Sequence, residues 1–250
     1  MTHPIIEVCV EGIDGLLAAQ EGGADRIELC ASLLEGGLTP SLGTVRTALR
    51  LAQVPLHVMV RPRGGDFLYS EAEFASMCED VALLRDAGVA GVVFGCLLPD
   101  GTVDTVRTRT LVELAHPLST TFHRAFDMVA NANAALDSLI ACGVHRVLTS
   151  GLQPDATQGA KMLRHLTERA AGRIIVLGCG ALRPETISDV HRHAGLSELH
   201  FAALRPEPSR MVYRNPSIGM GGTELEREYW HTVTEPSQVR ATIAAVRKTK

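Results

Sequence analysis

The sequence lacks the features that mark several common protein classes. It has no apolar run of 18 residues, so no membrane-spanning helix is expected. Its first residues, MTHPIIEVCV, carry neither a basic stretch nor a small-residue cleavage site, so no export signal is expected. Six cysteines are scattered at Cys9, Cys30, Cys78, Cys96, Cys142 and Cys179, and no two of them form a CxxC pair. In a chain of this length without an export signal, reduced thiols and a cytoplasmic location follow as the expectation. Positive charge is not in excess: 24 Lys and Arg stand against 28 Asp and Glu, a net charge of −4. That balance argues against nucleic acid or an anionic membrane surface as a partner. There is no GxSxG elbow for a serine hydrolase. There is no strand-glycine-helix fingerprint near the start for a dinucleotide, and no organic cofactor is expected.

What is present is a rhythm. Short apolar runs at Ile5–Val10, Asp25–Cys30, Leu56–Val60, Gly91–Gly95, Ser119–Arg124, Arg146–Ser150, Arg173–Gly178 and Glu198–Ala202 read as strands. Between them lie segments with helical spacing: Ile13–Glu21, Leu42–Ala52, Glu71–Ala87, Val106–Ala115, Asn133–Cys142, Ala156–Ala171 and Pro184–Ala194. Eight strands alternating with helices over about 200 residues is the pattern of a closed (β/α)8 TIM barrel. The expected architecture is one domain, residues 1–250, with a barrel core over about 5–204. A Gly- and Pro-rich excursion over 205–229 and a closing helix, Pro236–Arg247, make up the extension.

Alternate side chains of a strand share a face. Glu7 and Cys9 share one, as do Arg26, Glu28 and Cys30, and His57, Met59, Arg61 and Arg63. Thr121 pairs with His123, and His200 with Ala202. The opposite faces, such as Ile6/Val8, Ile27/Leu29, Val58/Val60 and Leu199/Phe201, are apolar and suit contact with the helices. The polar set is therefore expected inside the barrel, converging at the C-terminal ends of the strands, where barrel sites lie. Glu7, Glu28, His57, His123, Asp127 and His200 are the candidates for acid–base catalysis, since paired carboxylates and imidazoles tune one another. Arg26, Arg61, Arg63 and Arg124 are candidate anion binders. The small residues Thr149, Ser150, Gly151, Gly178 and Gly180, at the ends of the sixth and seventh strands, fit the usual barrel site for a phosphate or carboxylate. Cys9 and Cys30 repeat an Ile-Glu-apolar-Cys pattern on adjacent strands. With Met59 on the next strand they offer a soft site of the type Cu(I) prefers.

Several motifs occur together and in order. GGADRIELC (Gly22–Cys30), EGGLTPS (Glu35–Ser41), RPRGGDF-Y (Arg61–Tyr69), TFHRAFDM (Thr121–Met128), LTSG (Leu148–Gly151) and YRNPSIGMGG (Tyr213–Gly222) resemble the CutC-type copper homeostasis proteins. The resemblance implies a TIM barrel, a cytoplasmic protein and a link to copper, with Cu(I) bound through cysteines. Two positions depart from the family pattern. The seventh strand ends Leu177-Gly178-Cys179-Gly180 in place of a Pro-Gly-Gly-Gly run, and the eighth reads His200-Phe201-Ala202-Ala203 without a hydroxyl. Both fall where an anion would bind. Two functions follow: a Cu(I)-binding homeostasis protein using Cys9 and Cys30, or a metal-independent barrel enzyme working on a small phosphate- or carboxylate-bearing substrate. The expected partners are a copper ion or a small anion, and the expected assembly is a homo-oligomer.

Overall fold

The computed structural model describes residues 3–220 and 228–247. Eight parallel strands close a barrel in chain order, β1 to β8, and β1 pairs with β8. They are β1 (Ile5–Glu11), β2 (Arg26–Cys30), β3 (Leu56–Met59), β4 (Gly91–Phe94), β5 (Ser119–Phe122), β6 (Arg146–Thr149), β7 (Ile175–Gly178) and β8 (Glu198–Phe201). Helices α1 (Gly12–Gly22), α2 (Leu42–Leu51), α3 (Glu71–Ala87), α4 (Thr105–Ala115), α5 (Ala132–Ala141), α6 (Ala160–Ala170) and α7 (Ile187–Ala194) connect them, and α8 (Pro236–Arg247) closes the ring. The fold is the expected (β/α)8 barrel.

Local chemistry sets the element ends. Ser70 and Glu73 form a capping box that opens α3. Ser41, Asp104 and Asn131 accept backbone N–H groups at the starts of α2, α4 and α5. Two helices start later than their spacing predicts. The Asp155–Gly159 turn delays α6 to Ala160, and the Arg183–Thr186 turn delays α7 to Ile187. The 205–229 excursion contains structure that the composition conceals. β9 (Leu204–Pro208) pairs antiparallel with β10 (Trp230–Thr234), forming a two-stranded ribbon between β8 and α8. The tail of the excursion, 221–227, lies outside the described residues.

The main apolar core is not inside the barrel. It fills the layer between strands and helices, where Ile6, Val8, Ile27, Leu29, Val58, Val92, Phe94, Phe122 and Leu199 are buried against Leu16, Val45, Met77, Leu111, Leu136 and Leu166. The alternation inferred from the sequence accounts for this, because one face of each strand belongs to that layer. The other face carries charge. Among the described residues, two small apolar islands stand apart from the main core: Cys9, Cys30, Met59 and Val93, with Leu33 against them, and Leu148, Leu177 and Cys179.

Candidate functional site

Lowest among the inward-facing groups is an ionic belt. Arg26 bonds Glu7 through Nε and Glu198 through Nη2. Arg146 meets Glu198 at 3.0 Å and donates to Ser119 Oγ. These groups tie β1, β2, β5, β6 and β8 together across the barrel floor. His57 lies beside the belt, its Nδ1 3.6 Å from Glu7 Oε2. Burial and the nearby Arg26 hold its pKa down to about 4, so the ring is neutral. Burial works to raise the Glu7 value, but the hydrogen bond from His200 and the Arg26 charge overcome it and keep the carboxyl ionised.

Above the belt, at the C-terminal mouth, is a cavity of about 360 Å3. Cys9, Glu28, Met59, Arg61, His123, Arg124, Asp127 and His200 line it, with Glu35, Gly36, Phe67, Met128 and Leu148. Larger surface grooves of about 560 Å3 hold none of these interior groups. His200 bridges the two layers. Its Nδ1 meets Glu7 Oε1 at 2.8 Å, and its Nε2 lies 3.9 Å from Glu28 Oε2. Burial opposes protonation of His200, but the Glu28 carboxylate and its hydrogen-bond partners raise its pKa well above the usual value. Burial, with the Glu7 charge, raises Glu28.

Cys9 lines one wall of the cavity, and Cys30 is buried beside it. Cys9 Sγ and Cys30 Sγ are 3.8 Å apart, and Cys30 Sγ lies 3.6 Å from Glu28 Oε2. One donor atom from each of Cys9, Glu28 and Cys30 lies within 4.8 Å of the others, and Glu7, Glu28 and His200 form a second such group. The hydrogen bond with Cys30 and burial raise Cys9 well above the usual thiol value. For Cys30 the Cys9 hydrogen bond lowers the value, but burial and Glu28 outweigh it and leave the thiol at about 11. Gly37 lies over Cys30 and Met59. Its φ is +93°, and a Cβ there would sit 2.9 Å from Cys30 Sγ. The EGGLTPS motif contained this glycine, but its covering role has no signature in composition.

The opposite wall holds His123. The Ala125 N–H donates to its Nδ1 at 3.1 Å, so the neutral ring carries its proton on Nε2. Burial and the Arg61 charge hold its pKa down to about 3. Gly95 makes room for the ring, since a Cβ there would lie 2.6 Å from it.

Several expected anion binders are engaged elsewhere. Arg26 lies in the belt and not at the mouth, because it is in register with Glu7 on β1 and also reaches Glu198 on β8. β3 ends at Met59, so the alternation that would bring Arg63 inside does not continue. Arg63 instead pairs with Glu73 and Asp66 at the surface. Arg61 is buried at the mouth; its two terminal nitrogens donate to the carbonyls of Glu35, Gly37 and Gly65, and its Nε has no partner among the described residues. The loop after β6 is filled from within. Asp127 accepts the N–H groups of Ser150 and Leu152 and the hydroxyls of Thr149 and Ser150, and it pairs with Arg124. Gly151 N–H donates to Thr149 Oγ1. Gly178 packs against Leu196, and Gly180 against Ser150 and Asp155. The donors expected to meet an external phosphate are thus already occupied by a carboxylate of the chain itself.

A sequence model of the CutC family matches residues 4–204. The chain belongs to the CutC family. This member is 62% identical over 244 residues to a family protein CutC from Mesorhizobium japonicum, covering 98% of this chain and 95% of that one. It is 42% identical over 244 residues to a mouse protein named copper homeostasis protein cutC homolog, covering 98% of this chain and 89% of that one. A solved structure of CutC from Streptococcus agalactiae superposes with a TM-score of 0.75 at 29% identity, covering 79% of this chain and 97% of that one. Phosphoribosylanthranilate isomerase from Pyrococcus furiosus shares the fold, with a TM-score of 0.55 at 12% identity and nearly complete coverage of both chains.

Proposed function

We propose that this CutC family member is a cytoplasmic copper homeostasis protein that binds Cu(I) through Cys9 and Cys30, with Met59 as a soft neighbour. The observation that carries the reading is the pair of thiols 3.8 Å apart, grouped with Met59 on the inner side of the barrel. Thiolate and thioether donors suit Cu(I) better than they suit hard cations. A disulfide is the competing use of two close thiols, and the strand register opposes it. Cys9 is in register with Glu28, two residues before Cys30. Adjacent strands about 4.8 Å apart and a two-residue rise of about 6.6 Å set the Cα atoms about 8 Å apart, beyond the reach of an unstrained disulfide. Both sulfurs are protonated thiols in the metal-free protein, so Cu(I) uptake releases protons.

The test is a competition titration against a Cu(I) chelator under reducing conditions. Cys9→Ser and Cys30→Ser each abolish tight binding on this reading, and Cys96→Ser does not. Retention of full affinity by Cys30→Ser overturns it.

Acid–base catalysis on a small anionic substrate is the second reading, favoured by Glu28 and His123 lining one cavity. The β6 loop, filled by Asp127, weighs against its anionic part, while Arg61 Nε, buried without a partner among the described residues, favours it. Self-association is supported by the exposed apolar side chains Met211, Val212 and Tyr213 beside the β9–β10 ribbon.

A further inference from the structure

The mouth cavity holds a buried positive charge that the chain does not neutralise. Arg26 and Arg61 are the buried arginines among the described residues. Arg26 meets two carboxylates. Arg61 meets carbonyl oxygens only, those of Glu35, Gly37 and Gly65, and its Nε has no partner. No carboxylate among the described residues is within ion-pair distance of it. A buried charge without an opposite charge is costly, so this guanidinium marks the place of a negative group from outside the chain.

The other charges at the mouth are matched from within. Arg124 pairs with Asp127, and His200 lies between Glu7 and Glu28. The amides after β6 are taken by Asp127. One unmatched cation suits a single negative charge. A phosphate dianion needs more donors than remain, and its second charge meets Glu28 and Asp127 in the same lining.

Two further buried atoms in the lining have no partner among the described residues: His123 Nε2 and Glu28 Oε1. The Ala125 N–H occupies His123 Nδ1, so Nε2 carries the proton and requires an acceptor. Phe67 sets this donor on the same side of the cavity as Arg61. The Arg61 guanidinium carbon lies 5.0 Å from the Phe67 ring centroid, and the His123 ring centroid lies 4.9 Å from it. Glu28 Oε2 takes the Cys30 thiol, which leaves Oε1 open. A hydroxyl satisfies Oε1 in either protonation state, because it both donates and accepts. The volume of about 360 Å3 is at the small end for ligand sites.

We infer that the cavity binds a small hydroxycarboxylate, its carboxylate held by Arg61 and His123 Nε2 and its hydroxyl by Glu28 Oε1. The inference rests on the anionic part of the acid–base reading and names its ligand class.

The probes are lactate, its uncharged isostere lactamide, propionate and glycerol 3-phosphate, titrated by calorimetry into chelator-treated protein. Lactate binds tightest. Lactamide, which lacks the charge, binds about tenfold more weakly or worse. Propionate, which lacks the hydroxyl, is also weaker, and glycerol 3-phosphate gains nothing from its second charge. His123→Phe keeps the ring volume, removes the donor and weakens lactate by about tenfold. Arg61→Gln removes the charge and abolishes the preference for lactate over lactamide. In the unmodified protein, the Arg61 Nε–H and His123 Nε2–H resonances shift on addition of lactate, a readout independent of how well a variant folds. Binding is read without turnover, so lactate that binds and does not react supports the site and counts against the acid–base reading. Absence of lactate binding, equal binding of lactamide, tighter binding of glycerol 3-phosphate, or lactate binding that leaves both resonances unmoved overturns the inference.

Discussion

Replacing Arg26 by leucine tests the ionic floor of the barrel. Arg26 is the only residue bonded to both Glu7 and Glu198 among the described residues, and all three are buried. Removing one partner of a buried ion pair costs about 3–5 kcal/mol, because the remaining charge stays desolvated. Here each carboxylate keeps a second partner, His200 for Glu7 and Arg146 for Glu198. The low end, about 3 kcal/mol, is therefore expected. For a chain of this size that lowers the melting temperature by about 6–12 °C. The pH dependence has a definite sign. In the parent, Glu7 is held below its unfolded value, so its contribution is present at neutral pH and is lost only as pH falls through the depressed folded value. In the variant Arg26 no longer opposes burial, so the folded value rises toward the unfolded one while the His200 hydrogen bond still holds it down. The variant therefore loses less than the parent once pH falls below the ordinary carboxylate range. Urea unfolding at pH 7.5 and about pH 3.5 measures both, and the deficit shrinks at the lower pH. Adding Glu7→Gln to the variant restores part of the loss. A deficit below about 1 kcal/mol, or one that grows at about pH 3.5, refutes the reasoning.

Asp127→Ala leaves two loop amides and two hydroxyls without their acceptor, so stability falls by about 1–3 kcal/mol and the amides of Ser150 and Leu152 exchange faster. Inorganic phosphate then stabilises the variant more than the parent in a thermal melt, because the emptied loop accepts an external anion. Gly95→Ala drives a methyl into the His123 ring and costs about 1–3 kcal/mol by denaturant unfolding. Gly37→Ala, which combines a left-handed φ with a close approach to Cys30 Sγ, weakens Cu(I) retention in the chelator titration. Val212→Asp, at a fully exposed apolar position, lowers the assembly state by sedimentation.

The fold was legible because its signals are local and repeated. Alternation along β1, β2 and β8 identified the interior face, and capped, glycine-stopped helices marked the returns. The mouth thiols, Glu28, His123, Asp127 and His200 followed from that alternation and from strand ends. What was not legible depends on where alternation stops and on which partner a charge selects. Arg63 sits two residues beyond Arg61 in sequence, yet β3 ends before either, and a turn has no alternating faces. Arg26 reads the same whether it meets a ligand or Glu198, 172 residues away. Asp127 was a candidate catalyst by type, but its engagement by the β6 loop is a tertiary event with no spacing rule. The β9–β10 ribbon was hidden by Pro206 and Pro208, which weaken a strand signal but are tolerated in a ribbon with open edges.

The Arg61 guanidinium holds two separate loops in one hand. Glu35 and Gly37 belong to the segment before α2, and Gly65 to the turn before α3, and all three carbonyls converge on the same side chain. Gly37 also lies against Cys30 Sγ, so the cover over that thiol and the turn before α3 are anchored to one another through a single guanidinium.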